Sequence, residues 1–221
     1  MFYDEIADSW YNIRHWSIFQ EELGELSQQW DGGKLLNIGC AHGSDFLPLD
    51  RKKFSLYGID VSTELLKKAK DFSSKFNFNP NLIAGDMRNL PFKNESFDNL
   101  ICIASLHHVL ERKERVGALE EMRRILKKDG EALITVWNKR QKEFMLENKI
   151  IEKKWNYKGR DLKRKYYLYT YRELEKDLNE AGFKILETFP EKTYKVPVIK
   201  EFSENILALV KKTHPNSDAI K

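Results

Sequence analysis

The stretch Lys34-Leu-Leu-Asn-Ile-Gly-Cys-Ala-His-Gly-Ser44 decides the fold of this chain. Its apolar run ends abruptly in Gly39, and a second glycine follows at Gly43. An apolar run, a glycine turn and a segment able to begin a helix open a crevice for a nucleotide-like ligand in an α/β sheet. Because glycine has no Cβ, the backbone can turn tightly there and approach that ligand closely. Glycine also serves ordinary strand-to-helix turns, so this stretch alone leaves both interpretations open.

Two carboxylates follow at the ends of later apolar segments. The first segment ends in Asp60, which can accept hydrogen bonds from both hydroxyls of a ribose. The second contains Asp86 and ends in Met87, an apolar side chain able to pack on a flat ring. A further run, Phe97–Ala104, has the continuous apolar pattern of a strand that is buried on both faces. A glycine turn and two acids at successive strand ends favour the nucleotide-like ligand.

These motifs, in this order, resemble those of the class I S-adenosylmethionine-dependent methyltransferases. The resemblance runs from about Lys34 to Trp137. It implies a Rossmann-like α/β fold with a seven-stranded, mostly parallel sheet, helices on both faces and a last hairpin that is antiparallel. It also implies S-adenosylmethionine as the cofactor. The residues that the family pattern places against this cofactor are Asn37, Gly39, Cys40, Ala41, Gly43, Asp60, Val61, Asp86, Met87 and Ala104.

Two positions depart from the family pattern. Asn37 stands where the family usually has aspartate, and Ala41 stands where it usually has a middle glycine. The methyl group of Ala41 is expected to be tolerated if the backbone there is not left-handed. Loss of the carboxylate at Asn37 is expected to affect the orientation of the cofactor. A non-catalytic scaffold that keeps the fold but has lost the cofactor is therefore one alternative.

The composition is that of a soluble globular protein. With 221 residues, 41% of them hydrophobic and 33% charged, the chain predicts one domain over residues 1–221. No apolar run approaches the roughly 20 residues that span a bilayer, and the acidic N-terminus has no signal pattern, so we expect a cytoplasmic protein without a membrane segment. Cys40 and Cys102 are expected to be buried, and without a Cys-x-x-Cys pair no metal site is predicted.

Helix signals flank the strand motifs. Residues 1–30 are predicted to form an N-terminal helical segment. Ser62 is a good N-cap for the helix that follows Asp60. A later helix is predicted near Glu111 to Lys128, ended by Asp129-Gly130 with glycine as the left-handed residue. Towards the C-terminus, Thr170-Tyr-Arg-Glu173 has the pattern of a capping box, and two strands are expected to follow the helix that it opens.

Residues 138–170 have little clean periodicity and are predicted to form an insertion over the crevice. Between Lys149 and Lys165, eight basic residues stand against two acids, and aromatic residues are interleaved or follow directly. Basic residues beside rings that can stack suit an RNA surface. A solvated loop rich in lysine is the alternative that charge patterning alone leaves open.

Three further segments resemble those of the tRNA wobble-uridine methyltransferases, which convert a 5-carboxymethyl uridine to its methyl ester. The segments are Tyr3–Ala7 leading to Arg14, Ile103–Val109, and Val136–Asn138 with Lys165–Tyr167. The resemblance then covers nearly the whole chain. In the third segment the family usually has Tyr-Tyr-His, and Leu168 replaces the histidine here. That change bears on the exact substrate more than on the class of reaction.

The resemblance implies tRNA as the partner, with Arg14, His107 and His108 as catalytic residues. Together with the basic pattern of the insertion, it predicts a substrate-binding set of Trp137, Lys163, Arg164 and Tyr166. A carboxylate acceptor is already ionised at neutral pH, so it needs no catalytic base, and it has to be held about 3–3.5 Å from the methyl group. Arg14 can grip such a carboxylate with its planar fork, although an arginine of this kind also serves surface salt bridges.

The alternative of another class is a small-molecule O- or N-methyltransferase, which would need no basic, aromatic insertion. The family also suggests a partner, because its eukaryotic and archaeal members work with a small zinc-binding activator that pairs with an edge strand. In this chain that edge is the third strand, which follows Phe72, Phe76 and Phe78. Apolar rings beside an exposed edge form a docking site, whereas rings that only cover the sheet are the alternative.

Overall fold

A central sheet organises the computed structural model, which describes residues 2–49, 51–195 and 197–213. Along the chain the strands are β1 (Gly33–Ile38), β2 (Phe54–Asp60), β3 (Asn81–Ala84), β4 (Phe97–Cys102), β5 (Leu126–Trp137), β6 (Ile150–Tyr157), β7 (Arg160–Tyr167), β8 (Lys184–Pro190) and β9 (Asn205–Lys211). The helices are α1 (Phe2–Ile13), α2 (Gln20–Gln29), α3 (Thr63–Lys75), α4 (Arg112–Ile125) and α5 (Tyr171–Glu180).

The sheet has seven strands in the order β3-β2-β1-β4-β5-β9-β8. Neighbouring strands are parallel from β3 to β5, whereas β9 runs antiparallel to both β5 and β8. This confirms the predicted seven-stranded, mostly parallel sheet of a Rossmann-like fold and its antiparallel last pair. The remaining strands, β6 and β7, pair only with each other and form a separate ribbon.

Apolar side chains pack on both faces of the sheet. On one face, a buried cluster that includes Leu119 and Leu174 joins the sheet to α4 and α5. On the other face, a second cluster that includes Leu23 and Leu66 joins it to α2 and α3. Because both faces are covered, the central strands have continuous apolar runs in the sequence.

Two predicted helix starts are confirmed. The Ser62 hydroxyl accepts a hydrogen bond from the Leu65 backbone N–H at 3.2 Å, as an N-cap side chain does. At the start of α5, the Thr170 backbone N–H donates to the Glu173 carboxylate at 3.0 Å, which is one half of a complete capping box. In both cases the signal is local, because donor and acceptor lie three residues apart.

The predicted end of α4 is wrong by three residues. The helix ends at Ile125, because the N–H groups of Glu95 and Ser96 bind the carbonyl groups of the last turn, and the chain continues directly as β5. The left-handed residue is Asp129, with φ of 60°, and not Gly130. Gly130 is needed for another reason, since a Cβ there would lie 2.6 Å from the carbonyl oxygen of Asp98.

The predicted insertion, residues 138–170, contains the ribbon of β6 and β7. Its strands are joined by the two left-handed residues Lys158 and Gly159, which suit the tight turn of a hairpin. Successive side chains point to opposite faces of a strand. The inner face carries Trp155 and Tyr166 towards the crevice and the outer face carries most of the lysines. Basic residues also occur on the inner face, which is why the sequence shows no clean alternation of apolar and polar residues.

Candidate active site

A crevice of about 730 Å³ opens at the carboxyl ends of β1, β2 and β4. The glycine turn after β1 and the loop after β4 form its floor. The predicted site residues that line it are Arg14, Gly39, Cys40, Ala41, Asp60, Val61, Asp86, Met87, Ala104, His107, His108, Trp137, Arg164 and Tyr166. Asn37, Gly43 and Lys163 do not line the crevice among the described residues.

The backbone of the glycine turn is held against the tip of β2. The Gly39 N–H donates to the carbonyl oxygen of Ile59 at 2.8 Å, and Gly39 has a left-handed φ of 72°. A Cβ at this position would lie 2.2 Å from the Ser105 hydroxyl oxygen in the loop after β4. Gly39 therefore lets two loops close into one cradle at the floor of the crevice.

Ala41 stands in a left-handed conformation, with φ of 47°, so the condition on which its methyl group was expected to be tolerated is not met. The position is fixed from outside the turn, because the Ala41 N–H donates to the Asp60 carboxylate at 2.8 Å. An alanine in this conformation costs roughly 1–2 kcal/mol relative to a right-handed one.

Substituting Ala41→Gly is expected to raise the free energy of unfolding by about 1 kcal/mol, because the strain of the left-handed alanine exceeds the extra entropy that glycine loses on folding. Urea denaturation at constant pH measures the change. Ala69→Gly, in α3, serves as the control and is expected to lower the free energy of unfolding by about 1 kcal/mol or more. An equal loss in both variants would contradict the strain assigned to Ala41.

Asp60 is buried at the end of β2 with its carboxylate inside the crevice wall. One oxygen accepts the Ala41 N–H, and the other accepts the Ser62 N–H at 2.9 Å. Burial raises the pKa of Asp60, and these backbone hydrogen bonds oppose the rise. No ion pair joins Asp60 to another side chain in the part of the molecule that the structure describes. Each oxygen keeps capacity for a further donor, such as a ribose hydroxyl.

Asp86 lies at the opposite wall, where Arg88 bridges two carboxylates. Its guanidinium donates to Asp86 at 2.6 Å and to Glu114 at 3.1 Å. The hydrogen bond from Arg88 lowers the pKa of Asp86. The Met87 side chain between them packs against the buried cluster under the sheet and also lines the crevice. This wall therefore presents the apolar side chain of Met87, bordered by the carboxylates of Asp86 and Glu114, which Arg88 holds in place.

Aromatic rings and two histidines form the other half of the crevice. The rings of Trp137 and Tyr166 are stacked, with centroids 4.6 Å apart and an angle of 25° between their planes. The Tyr3 hydroxyl lies 2.9 Å from Nε2 of His108, and Nδ1 of His107 accepts the Trp137 backbone N–H at 3.1 Å. These five side chains, here called the aromatic pocket, offer ring faces and neutral hydrogen-bonding groups.

Both histidines of the aromatic pocket are neutral near pH 7. Burial lowers the pKa of His107 from its ordinary 6.5 to about 3, with a smaller contribution from the positive charge of Arg164. The pKa of His108 is also lowered, first by burial and then by the repulsion that a proton on each of the two histidines would cause and by the positive charge of Arg164. A histidine that stays neutral at physiological pH can orient a substrate by hydrogen bonds, but it supplies no positive charge.

Burial also lowers the pKa of a third histidine, His42, to about 4. Because His42, His107 and His108 all have lowered pKa values in the folded protein, the free energy of unfolding is expected to depend on pH below 6.5. Between pH 6.5 and 4.5 the unfolded chain binds protons at these histidines and the folded chain does not, so the free energy of unfolding falls as the pH falls. The expected loss is roughly 2 kcal/mol for each of His42 and His107 over this range. Chemical denaturation at stepwise pH measures it, and His107→Gln should flatten the slope. An unchanged slope in that variant would contradict the burial of a neutral His107.

The ribbon and α1 together cover the aromatic pocket. The rings of Trp10 and Trp155 lie 5.8 Å apart, and the Arg164 guanidinium lies 5.0 Å above the Tyr3 ring. At the edge, Arg160 pairs with Glu5 at 3.6 Å. Tyr3, Trp10 and Trp155 therefore line the crevice, although they were not among the predicted site residues. In the sequence, the aromatic residues that stand among the basic residues of the ribbon were the feature that could have indicated Trp155.

Arg115 of α4 supports the loop that carries the histidines. Its guanidinium donates to the carbonyl oxygens of Val109 and Leu110, and it lies 3.6 Å from the centroid of the Tyr167 ring. The side chain is buried beside Asp177, whose carboxylate oxygen is 3.7 Å from Nε. A buried cation held in this way fixes the loop after β4 against α5 and the end of β7.

A model of the methyltransferase domain matches residues 36–134, which contain the crevice floor. A protein of Encephalitozoon cuniculi, named as a methyltransferase, is 31% identical over 84% of this chain and 87% of its own length. The chain belongs to the S-adenosylmethionine-dependent methyltransferases. The crystal structure of a methyltransferase of this kind from Clostridium acetobutylicum has a TM-score of 0.75, with 19% identity over 96% of each chain.

Two further relatives carry more specific names. The tRNA (carboxymethyluridine(34)-5-O)-methyltransferase of Arabidopsis thaliana is 32% identical over 65% of this chain, and the match covers 33% of that relative. A Haloferax volcanii methyltransferase, solved in complex with the Trm112 methyltransferase activator, has a TM-score of 0.67. It is 16% identical, over 95% of this chain and 99% of that one, so the likeness concerns the fold alone.

The crevice of this methyltransferase fits S-adenosylmethionine, the family's cofactor. The cradle at Gly39, which a Cβ would fill, leaves the backbone open to a ligand, and the Asp60 oxygens can accept from its ribose. When bound, the cofactor supplies a sulfonium methyl group, an electrophilic carbon. No helix among the described residues is long and apolar enough to cross a membrane, and the same residues contain no group of three side chains placed to bind a metal ion.

Proposed function

We propose that this methyltransferase methylates the carboxylate of a 5-carboxymethyl uridine at the wobble position of tRNA. The observation that carries the proposal is Arg164, a cation without an ion pair among the described residues, set against Tyr3 inside the aromatic pocket. An unpaired guanidinium in a covered pocket favours an anionic acceptor over a neutral one. Its planar fork matches a carboxylate.

The aromatic pocket also suits a pyrimidine ring. The stacked Trp137 and Tyr166 provide a flat platform, and neighbouring His107 and His108 are hydrogen-bonding groups held neutral by burial. RNA-binding proteins commonly recognise a base that has left its stack in this way. No general base is required, because the acceptor carboxylate is ionised and forms its new C–O bond without losing a proton. The groups around the acceptor therefore only bind and orient it.

The outer face of the ribbon supports RNA as the substrate. Lys154 and Lys163 are directly opposite each other on the two strands, and Lys165 follows on the same face. Like charges placed opposite each other destabilise a strand pair, and Glu152, which pairs with Lys163 at 2.9 Å, offsets part of this repulsion. Exposed lysines on the ribbon that covers the aromatic pocket are suited to the phosphates that flank a base bound there. A relative named as a carboxymethyluridine methyltransferase supports the same substrate.

Transfer of a radiolabelled methyl group to bulk tRNA, followed by nucleoside mass spectrometry, tests this function. We expect label in a wobble uridine that mild alkali releases, because a methyl ester is hydrolysed under these conditions. A label that resists alkali would exclude the proposed ester. Label that appears only on small carboxylic acids, and never on tRNA, would favour a small-molecule acceptor. Each reaction is run with and without an activator protein.

The free edge of β3 is the site proposed for a small zinc-binding activator. This strand ends the sheet, and the neighbour from Haloferax volcanii was solved with an activator. Of the predicted docking rings, Phe72 is buried in the interior and is not available, whereas Phe76 and Phe78 are only half-buried. Trp16, which is 56% exposed, has its ring centroid 6.0 Å from that of Phe76 and extends the apolar surface.

Substituting Trp16→Ser is expected to weaken activator binding by about tenfold or more, because a large exposed ring next to an interface strand is a typical hot spot. Titration calorimetry with a purified activator measures the affinity. The control is Leu146→Ser, which removes a 99% exposed apolar side chain near the ribbon and should leave the affinity unchanged. Equal affinities for both variants would place the activator on another surface.

A further inference from the structure

One end of the crevice, beyond the glycine turn, carries two opposite charges. Asp45 lies in the short 3-10 turn Ser44–Phe46 that directly follows Gly43, and its side chain lines the crevice. Arg14 follows α1, lines the same crevice, and has its guanidinium 5.1 Å from the centroid of the Trp10 ring. Its positive charge acts both on Asp45 and on Tyr166 of the aromatic pocket. Among the described residues, neither side chain has an ion pair within 4.0 Å.

The two charges are nevertheless close enough to influence each other. Burial raises the pKa of Asp45, and the Ser17 hydroxyl, the positive charge of Arg14 and the nearby Asn37 amide oppose that rise. Opposite charges that face one cavity without touching leave room for a ligand that carries both signs. Each charge would then gain a partner of opposite sign in a partly dehydrated site, where such contacts are strong.

Asn37, in β1, lies next to Asp45 but does not itself line the crevice. The residue is fully buried, and neither the nitrogen nor the oxygen of its amide forms a well-oriented hydrogen bond in the described part of the chain. Its interaction with Asp45 opposes the rise of the pKa of that carboxylate, so the uncharged amide lies where the aspartate of the family pattern would place a second negative charge beside Asp45. Asp45, which follows the glycine turn, provides the carboxylate that the Asn37 amide lacks.

We propose that Asp45 and Arg14 hold the zwitterionic amino-acid end of S-adenosylmethionine, with Asp45 binding the ammonium group and Arg14 the carboxylate. Asp45 thereby provides the negative charge that the neutral Asn37 does not. Arg14 then belongs to the cofactor rather than to the acceptor, and Arg164, which lies with the two histidines, remains for the acceptor carboxylate. The inference concerns cofactor binding and does not depend on the identity of the acceptor.

Three ligands distinguish the proposed contact of Asp45 with the ammonium group from that of Arg14 with the carboxylate. S-adenosylmethionine carries both charged groups, decarboxylated S-adenosylmethionine keeps only the ammonium group, and 5′-methylthioadenosine lacks both. Titration calorimetry with the full chain gives the affinity of each ligand for the wild type and for the nearly isosteric variants Asp45→Asn and Arg14→Gln. Each affinity is compared with that of the wild type for the same ligand, so the different charge at sulfur does not enter the comparison.

Asp45→Asn is expected to weaken S-adenosylmethionine and its decarboxylated analogue about 10- to 100-fold and to leave 5′-methylthioadenosine unchanged, as for loss of one charge-assisted contact. Arg14→Gln is expected to weaken S-adenosylmethionine alone by a similar factor. The double variant Asn37→Asp/Asp45→Asn is expected to recover part of the affinity, because it moves the carboxylate to the neighbouring position.

Arg164→Gln is the matched control, since it removes the same charge from beside His107 and His108, and all three affinities should stay at their wild-type values. Retained binding of 5′-methylthioadenosine also shows that a variant is folded. Equal losses for all three ligands would assign Asp45 and Arg14 a structural role and overturn the proposal. Unchanged binding of S-adenosylmethionine by Arg14→Gln would show that Arg14 does not bind the cofactor carboxylate, and this half of the proposal would be wrong.

Discussion

Gly39→Ala is expected to abolish cofactor binding, with a loss of at least about 100-fold in affinity. The new Cβ would lie 2.2 Å from the Ser105 hydroxyl oxygen, and the left-handed φ of 72° is unfavourable for any residue with a side chain. The conformation alone costs roughly 1–2 kcal/mol, and forcing the two loops apart costs a further 1–3 kcal/mol or so. Titration calorimetry with S-adenosylmethionine measures the affinity, and urea denaturation measures the free energy of unfolding.

Gly117→Ala is the control for this substitution. Gly117 lies in α4, and a Cβ there would meet nothing within 4 Å, so the free energy of unfolding should rise slightly and cofactor affinity should not change. The double variant Gly39→Ala/Ser105→Gly removes the contact and keeps the strained backbone, so it should recover part of the affinity. Normal cofactor binding by Gly39→Ala itself would show that the cradle does not need the glycine.

Arg164→Gln is expected to reduce kcat/KM for tRNA methylation by about 100-fold or more while cofactor affinity stays at the wild-type level. A buried charge-assisted pair with the acceptor is worth about 1.5–3 kcal/mol, and loss of in-line orientation adds to this. The measurement is initial-rate methyl transfer to tRNA at several concentrations. If binding of the acceptor is the main loss, KM rises, and if orientation is the main loss, kcat falls.

Lys163→Gln provides the comparison, because it removes a neighbouring charge from the outer face of the ribbon. A phosphate contact there should raise KM by only a few-fold and reduce the salt dependence of tRNA binding, with kcat unchanged. Similar kinetics for Arg164→Gln and Lys163→Gln would indicate that both side chains contact phosphates. A full wild-type rate for Arg164→Gln would remove the main support for a carboxylate acceptor.

The parts of the fold that follow from short-range signals were predicted from the sequence. The buried strands, the N-cap Ser62 and the capping box at Thr170 each depend on residues within a few positions of one another. The end of α4 was not predictable in this way, because its last carbonyl groups are bound by Glu95 and Ser96, from a loop that precedes the helix by many residues.

In the candidate site, too, the features with a local sequence signal were predicted, and those that depend on distant residues were not. The glycine turn and Asp60 were recognisable because each stands at the end of an apolar run. The left-handed conformation of Ala41 was not, since it depends on a hydrogen bond to the Asp60 carboxylate on another strand. The different surroundings of Arg14 and Arg164 depend on how the ribbon lies over α1, and no spacing in the sequence carries that information.

The ribbon of β6 and β7 places a constraint on how its sequence can change during evolution. Because neighbouring residues face opposite sides, insertion or deletion of a single residue in either strand exchanges the two faces beyond that point. Trp155 would turn to the solvent, and a neighbouring lysine would enter the crevice. Length changes should therefore survive among homologues only in steps of two residues or at the Lys158–Gly159 turn, where the strands reverse.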